Sequence, residues 1–327
     1  MIVGTGHSAV HHGELLQGVF VDASGRPCRG LVTLPMGGPG VRAEFAPTPG
    51  TGVVVVRPAD RVKAARAASL ATAECARRSG RPRCGGRLRL HSDIPLGLGM
   101  GSSSGDVIAA IRAVAASFGV ELPPAAVARL AVRAEHASDP LMLEDRPLLF
   151  AHREGRVLED LGAALPPVVV VGCLTGGGRP VDTLTVRGPC REEDVRCFEG
   201  LRALLRRAIA DADLALLGRV STESARRNQR VLPKEELTEL EAVARRTGSA
   251  GVQVAHSGNV AGLLFDPASD LDRRLWHCRR ALDRHGIPVT RIFTTGRAEG
   301  GHGQPHRRRD QQTGPRPPRR RVGLPAV

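Results

Sequence analysis

The chain has 327 residues, 41% apolar but only 2% aromatic, with a formal net charge of +14. That length admits one large or two ordinary domains, with a core drawn mainly from Ala, Val and Leu. Its seven cysteines form no Cys-x-x-Cys pair, which excludes a zinc ribbon and a disulfide scaffold, and no apolar run approaches the ~20 residues of a bilayer span. The opening MIVGTGHSAVHHGELL lacks a basic stretch followed by an apolar one, so no leader or membrane partner is expected and the reading is cytoplasmic, with reduced thiols. Eight arginines lie in residues 297–327 against Glu299 and Asp310, so that segment carries +6 and the body +8.

In chain order, residues 1–55 alternate short apolar runs with glycine turns (GVFVD, GLVTLP, GVRAEF, GVVVVRP) and predict a β-rich start. Within it, residues 6–18, GHSAVHHGELLQG, read as strand, turn and helix. Residues 60–79 are Ala/Arg-rich and helical, LRLHSDIP is a strand, and DVIAAIRAVAASFG and AAVARLAVRAEHA are helices with a buried face. PLLFAHREGRVLEDL predicts two strands about a Glu-Gly turn, and VVVVGCL a buried strand. Helices are expected at about 191–214, 216–228, 234–247 and 269–285, and strands at GVQVAHSG, VAGLLFD and VTRIFTT. The body divides near residue 160 into units 1–160 and 161–296. Residues 297–327, rich in Arg, Pro, Gln and Gly, hold too little apolar material to offset ordering entropy and are expected to be a disordered tail.

Residues 95–105, PLGLGMGSSSG, carry the strongest chemical signal. Gly97, Gly99 and Gly101 permit tight angles between a strand and a helix. Ser102, Ser103 and Ser104 stand at the helix start, where unpaired N–H groups and the positive dipole end attract an anion, most often phosphate; the hydroxyls can instead cap the helix. The spelling is neither a P-loop, which needs Gly-Lys-Ser/Thr, nor the dinucleotide fingerprint. Glu135 and Asp139, in RAEHASDP, are four residues apart and can face one way at a helix end, with Asp139-Pro140 on an exposed turn. A metal site on His7, His11 and His12 would need a helix where glycine predicts a turn.

The loop resembles the ATP loop of the GHMP kinases, at Pro95, Gly99, Met100, Gly101, Ser102, Ser103 and Ser104. Gly13-Glu14 with Leu15-Leu16-Gln17-Gly18 resembles the first motif of one branch, the L-threonine kinases of cobalamin synthesis and propanediol utilisation, which read Pro-x-Ser-Cys-Gly-Glu-Leu-x-Gln-Gly. This chain has Ala9, Val10, His11 and His12 instead. Ala255, His256, Ser257 and Gly258 are similar to that branch's Ala-His-Ser-Gly-Thr, with Asn259 replacing Thr. Residues 224–234 and the segment holding Asp182 are also similar to it. The resemblance implies a two-lobed α+β fold, an N-terminal ribosomal protein S5 domain 2-like lobe followed by a ferredoxin-like one. It further implies an ATP- and Mg²⁺-dependent alcohol phosphotransferase acting on a hydroxy amino acid, first of all L-threonine, giving O-phospho-L-threonine. On that reading Glu135 coordinates Mg²⁺, Ser103, or else Ser102, completes the metal site or touches a phosphate, and Asp139 aligns or deprotonates the acceptor. Glu14, Asp182, His256, Ser257 and Gly258 face the substrate. Which carboxylate dominates stays open, as do homoserine or a specialised metabolite as acceptor. A nucleic-acid-binding role through the basic tail is the alternative from another class; the scarcity of aromatics argues against single-strand recognition.

Overall fold

The computed structural model describes residues 2–92, 94, 97–143, 146–162, 164–178, 191–267 and 270–295, which belong to one compact unit. Pro95, Asp182 and the tail lie outside them. Two long strands open the chain, β1 (Gly4–Val21) and β2 (Pro27–Thr48), followed by β3 (Val54–Arg57), α1 (Val62–Ser79) and β4 (Gly85–Ser92). Next come α2 (Ser102–Phe118), α3 (Pro124–Glu135), β5 (Leu148–Ala151) and β6 (Arg156–Asp160). The rest runs β7 (Val168–Leu174), α4 (Glu192–Ala210), α5 (Leu214–Asn228), α6 (Leu237–Thr247), β8 (Gly251–Val254), β9 (Val260–Phe265), α7 (Leu271–Arg284) and β10 (Val289–Thr295). The fold is α+β, as expected from the resemblance.

The strands make one sheet in the order β10-β7-β9-β8-β1-β2-β4-β3, with β5 joined to β2 and β6 to β5. All pairs are antiparallel except β3 with β4. The alternating apolar residues of β2 and β4 and the Ala-rich faces of α1, α2 and α3 bury a first core, with Phe45, Leu88, Ile108, Ile111 and Phe118 inside it. A second core joins Leu15, Leu16 and Phe20 of β1 to Val168 and Val170 of β7 and to Leu205 and Leu217 of α4 and α5. A third lies between β7–β9 and the helices α6 and α7.

One expected element is corrected. Residues 6–18 do not turn into a helix but run on as strand. The polar, glycine-bearing stretch is absorbed by irregularities: β1 shifts register against β2 between Ser8 and Val10, His11 and Glu14, and Glu14 and Leu16, with Gly13 at φ 62. Such bulges re-aim side chains within a strand; here His11 lies beside Gly101 and meets Asp139, and Glu14 meets His256. No described helix is long and apolar enough to cross a membrane.

Candidate active site

The glycine loop sits between β1 and the turn that joins β8 to β9. His11 N–H and Gly13 N–H donate to the carbonyls of Met100 and Gly99, and Asn259 N–H to that of Leu98, at 3.3, 3.2 and 2.9 Å. Gly97, Gly99 and Gly101 have φ values of 75, 85 and 69. Gly99 and Gly258 also need their missing side chains: a Cβ on Gly99 would overlap that of Ala255, and one on Gly258 would overlap the backbone of Leu98 and Gly99. The first turn of α2 carries no side-chain cap and no acidic residue of its own, so its backbone N–H groups are left for an anion at the loop.

The serines do not cap the helix. Ser103 Oγ donates to Glu135 Oε2 and Ser104 Oγ to Glu135 Oε1, both at 2.9 Å. Ser104 Oγ also accepts the Asp139 N–H at 3.1 Å, tying the two acids together. Burial pushes the Glu135 carboxyl up to about 7, with the Asp139 charge adding to it and the serine hydrogen bonds opposing. Ser102 is buried at the start of α2.

Helix α3 stops at Glu135 because His136 adopts φ 69, before the Asp139-Pro140 pair is reached. Glu135 and Asp139 therefore face different partners. Asp139 is not on an exposed turn: its side chain is 15% accessible, and Oδ2 pairs with His11 Nε2 at 3.0 Å. Burial alone would push the imidazole down, yet the Asp139 and Glu14 carboxylates and the Gly13 carbonyl hold it up at about 9. Against its own burial, Asp139 is held well below the usual carboxylate range by His11.

Glu14 is buried and clamps the β8–β9 turn: it accepts from His256 N–H at 2.6 Å and meets His256 Nδ1 at 3.0 Å. His256 stays protonated more readily than a free imidazole because these carboxylates outweigh its burial. Lys234 is buried beneath the same turn, donating to Gly258 O and, at 3.2 Å, to Asn259 Oδ1. Its burial lowers the ammonium to about 8. Ser257 is buried within the turn. A cavity of about 300 Å³ opens beside His152, Ala137 and His256.

Two sets of groups could hold a cation. One is Ser103 with Glu135. The other is His11, Glu14 and Asp139, whose ligand atoms lie within 4.8 Å of one another. A metal there would have to displace the proton that Asp139 and Glu14 hold on the imidazole, since a ligating His is neutral. His7 and His12 do not join: His12 packs on Phe293 and meets Gln253 Nε2 at 2.7 Å. His11, His152 and Lys234 are the site residues that sequence reasoning did not select. Lys234 ends the segment 224–234, where a resemblance was visible without a role for any one residue.

A phosphoryl-transfer site needs groups to cradle phosphates, groups to hold a metal ion and a carboxylate to orient the attacking hydroxyl; the glycine loop with the start of α2, Ser103 with Glu135, and Asp139 are of those kinds. Residues 63–142 match the GHMP kinases N terminal domain. The fold is that of solved homoserine and mevalonate kinases. The solved homoserine kinase of Cytophaga hutchinsonii superposes with a TM-score of 0.64 at 14% identity, covering 90% of this chain and 95% of that one. In sequence, 130 residues are 33% identical to the 4-diphosphocytidyl-2-C-methyl-D-erythritol kinase of Chlorobaculum parvum, 40% of this chain and 44% of that protein. A further 27% identity over 195 residues relates it to the L-threonine kinase of Salmonella typhimurium, 55% of this chain and 60% of the relative. The chain thus spans less than two thirds of either relative.

Proposed function

We propose that this protein transfers the terminal phosphoryl group of ATP to the hydroxyl of a small hydroxy amino acid, with L-threonine as the acceptor its motifs nominate. The observation that carries the reading is the Ser103–Ser104–Glu135–Asp139–His11 chain of contacts, set at the uncapped end of α2. The loop amides of Gly97–Ser104 take the phosphates. Glu135 and Ser103 fit Mg²⁺, being a buried carboxylate and a hydroxyl beside that anion site, and the ion would neutralise charge on the phosphates. Asp139 aligns the acceptor hydroxyl and receives its proton as the oxygen bonds to phosphorus and the bond to the ADP oxygen breaks. His11 keeps Asp139 ionised and fixed. Glu14, through His256, sets the wall on which the acceptor rests.

ADP release with ATP and Mg²⁺ is to be measured against L-threonine, L-serine, L-homoserine and mevalonate, with Asp139→Asn alongside. Release with a hydroxy amino acid, lost in the variant, supports the reading; no release with any of them overturns it. The relatives divide over the acceptor. One is named for L-threonine, the other for an alcohol that already bears a diphosphate. That division makes an anionic alcohol the second reading.

A further inference from the structure

Lys234 is 2% exposed, and among the described residues its ammonium meets no carboxylate at ion-pair distance; the charges of Glu14 and Glu236 act on it from further off. A buried charge without an ion partner is costly to keep, and hydrogen bonds from it to neutral oxygens are strong. Lys234 makes two, to Gly258 O and, at 3.2 Å, to Asn259 Oδ1. The side chain starts from a fixed base. Just past the end of α5, Gln229 clasps the Lys234 backbone at both polar atoms. Its Oε1 accepts the Lys234 N–H at 2.7 Å, and its Nε2 donates to the Lys234 carbonyl at 2.8 Å.

The Gly258 carbonyl and the Asn259 N–H belong to one peptide unit. That unit is planar and trans, so the two groups point in opposite directions. Its carbonyl end lies on Lys234, and its N–H end donates to Leu98 O of the glycine loop at 2.9 Å. Lys234 thereby reaches the loop through a single rigid plate. The next peptide has holds of its own: Asn259 O accepts from Thr175 N–H at 2.8 Å, and Val260 N–H donates to Leu98 O at 2.9 Å. For the Gly258 carbonyl the hold is Lys234. Glycine at 258 restricts its own ψ little, so without the ammonium the plate can turn over. Turned over, it would set a carbonyl against Leu98 O, where Gly258 already packs on the backbone of Leu98 and Gly99. We infer that Lys234 is a positioning residue for ATP: by holding the Gly258 carbonyl it aims the Asn259 N–H at Leu98 and fixes the glycine loop in its phosphate-binding form. The role in ATP binding rests on the reading proposed above; the peptide link does not.

The test joins residue-resolved amide exchange to calorimetric titration of Mg²⁺-ATP, both on the full chain at pH 7, where the ammonium is charged, burial lowering it only to about 8. Lys234→Met removes the donor and keeps the bulk. Gln229→Ala, at a half-buried position, loosens the base of the side chain and keeps the test open should Lys234→Met fail to fold. In Lys234→Met, Asn259 N–H is expected to exchange faster and Mg²⁺-ATP to bind roughly tenfold more weakly, the size of a hydrogen bond to a charged group. Gln229→Ala should shift both the same way by less. The amides of Val170 and Leu264 should keep their protection, since the loosening is local. In Lys234→Ala, n-propylammonium supplies the missing atoms and should recover part of the lost ATP affinity, whereas tetramethylammonium, a cation without N–H groups, should not. ATP affinity within about twofold of the parent's in every folded variant overturns the inference. So does protection lost equally at Val170 and Leu264, or a loss of affinity that n-propylammonium leaves unmoved. Weakened ATP binding in the variants, with no ADP release from the parent and any hydroxy amino acid, leaves the inference standing and counts against the kinase reading alone. A parent chain that binds no Mg²⁺-ATP overturns both.

Discussion

At the scale of single residues, the His11–Asp139 pair is the most consequential contact. Among the described residues Asp139 pairs at bonding distance with the His11 ring, which has Glu14 on its other side at 3.8 Å. The imidazole, ordinarily near 6.5, is raised to about 9, so its ion pair contributes fully below the unfolded value and is lost as pH rises through about 9. Turnover is therefore expected to fall on the alkaline side near pH 9, and a kcat profile from pH 6.5 to 10.5 reads it directly. In His11→Gln that alkaline fall should vanish and kcat should drop roughly a hundredfold, within the usual range for a positioned acid or base. Asp139→Asn should cost about as much or more in kcat, and about 3 kcal/mol in stability, because it leaves a buried imidazole without its carboxylate. Unchanged kcat in Asp139→Asn would remove Asp139 from the mechanism, and unchanged kcat in His11→Gln would remove the role of His11 in holding it.

At the scale of elements, the glycine loop and the β8–β9 turn are one docked unit rather than two independent loops. Gly258→Ala is expected to lower stability by roughly 1–3 kcal/mol and to raise the KM for ATP, since the new methyl group must displace the loop backbone. Thermal melting and ATP saturation together check this; unchanged values would mean the loop is free of the turn. This docking also explains what the sequence did and did not make legible. Element type follows period, so the Ala-rich helices, the VVVVGCL strand and the terminal strands were all readable from local pattern. The Ser-Ser-Ser run and the Glu135–Asp139 spacing were readable too, because they lie within 40 residues of one another. Residues 6–18 misled because Gly13 and the polar run resemble a turn locally, while their partners on β2 lie 12 to 37 residues on. His11 acquires its role from a residue 128 positions away, so no local window contains it.

At the scale of the molecule, β1 is the seam. It pairs with β2 on one side and, through Glu14 and Val254, with β8 on the other. The division expected near residue 160 falls between β6 and β7, yet residues on both sides belong to one compact unit, and the second core mixes Leu15, Leu16 and Phe20 with Val168, Val170 and Leu264. A core shared in this way couples the two parts, and the site lies on the seam itself. Unfolding is therefore expected to be one transition. Trp276, the single tryptophan, lies on α7 in the later part of the chain, whereas far-ultraviolet circular dichroism reports all the helices. Midpoints from the two signals should coincide. Mg²⁺-ATP at about a hundred times its Kd should raise both together by roughly 5–10 °C, the shift that about 2.7 kcal/mol of binding linkage gives a domain of this size. Two separate midpoints, or a ligand shift confined to one signal, would show that the parts fold independently and that β1 does not join them.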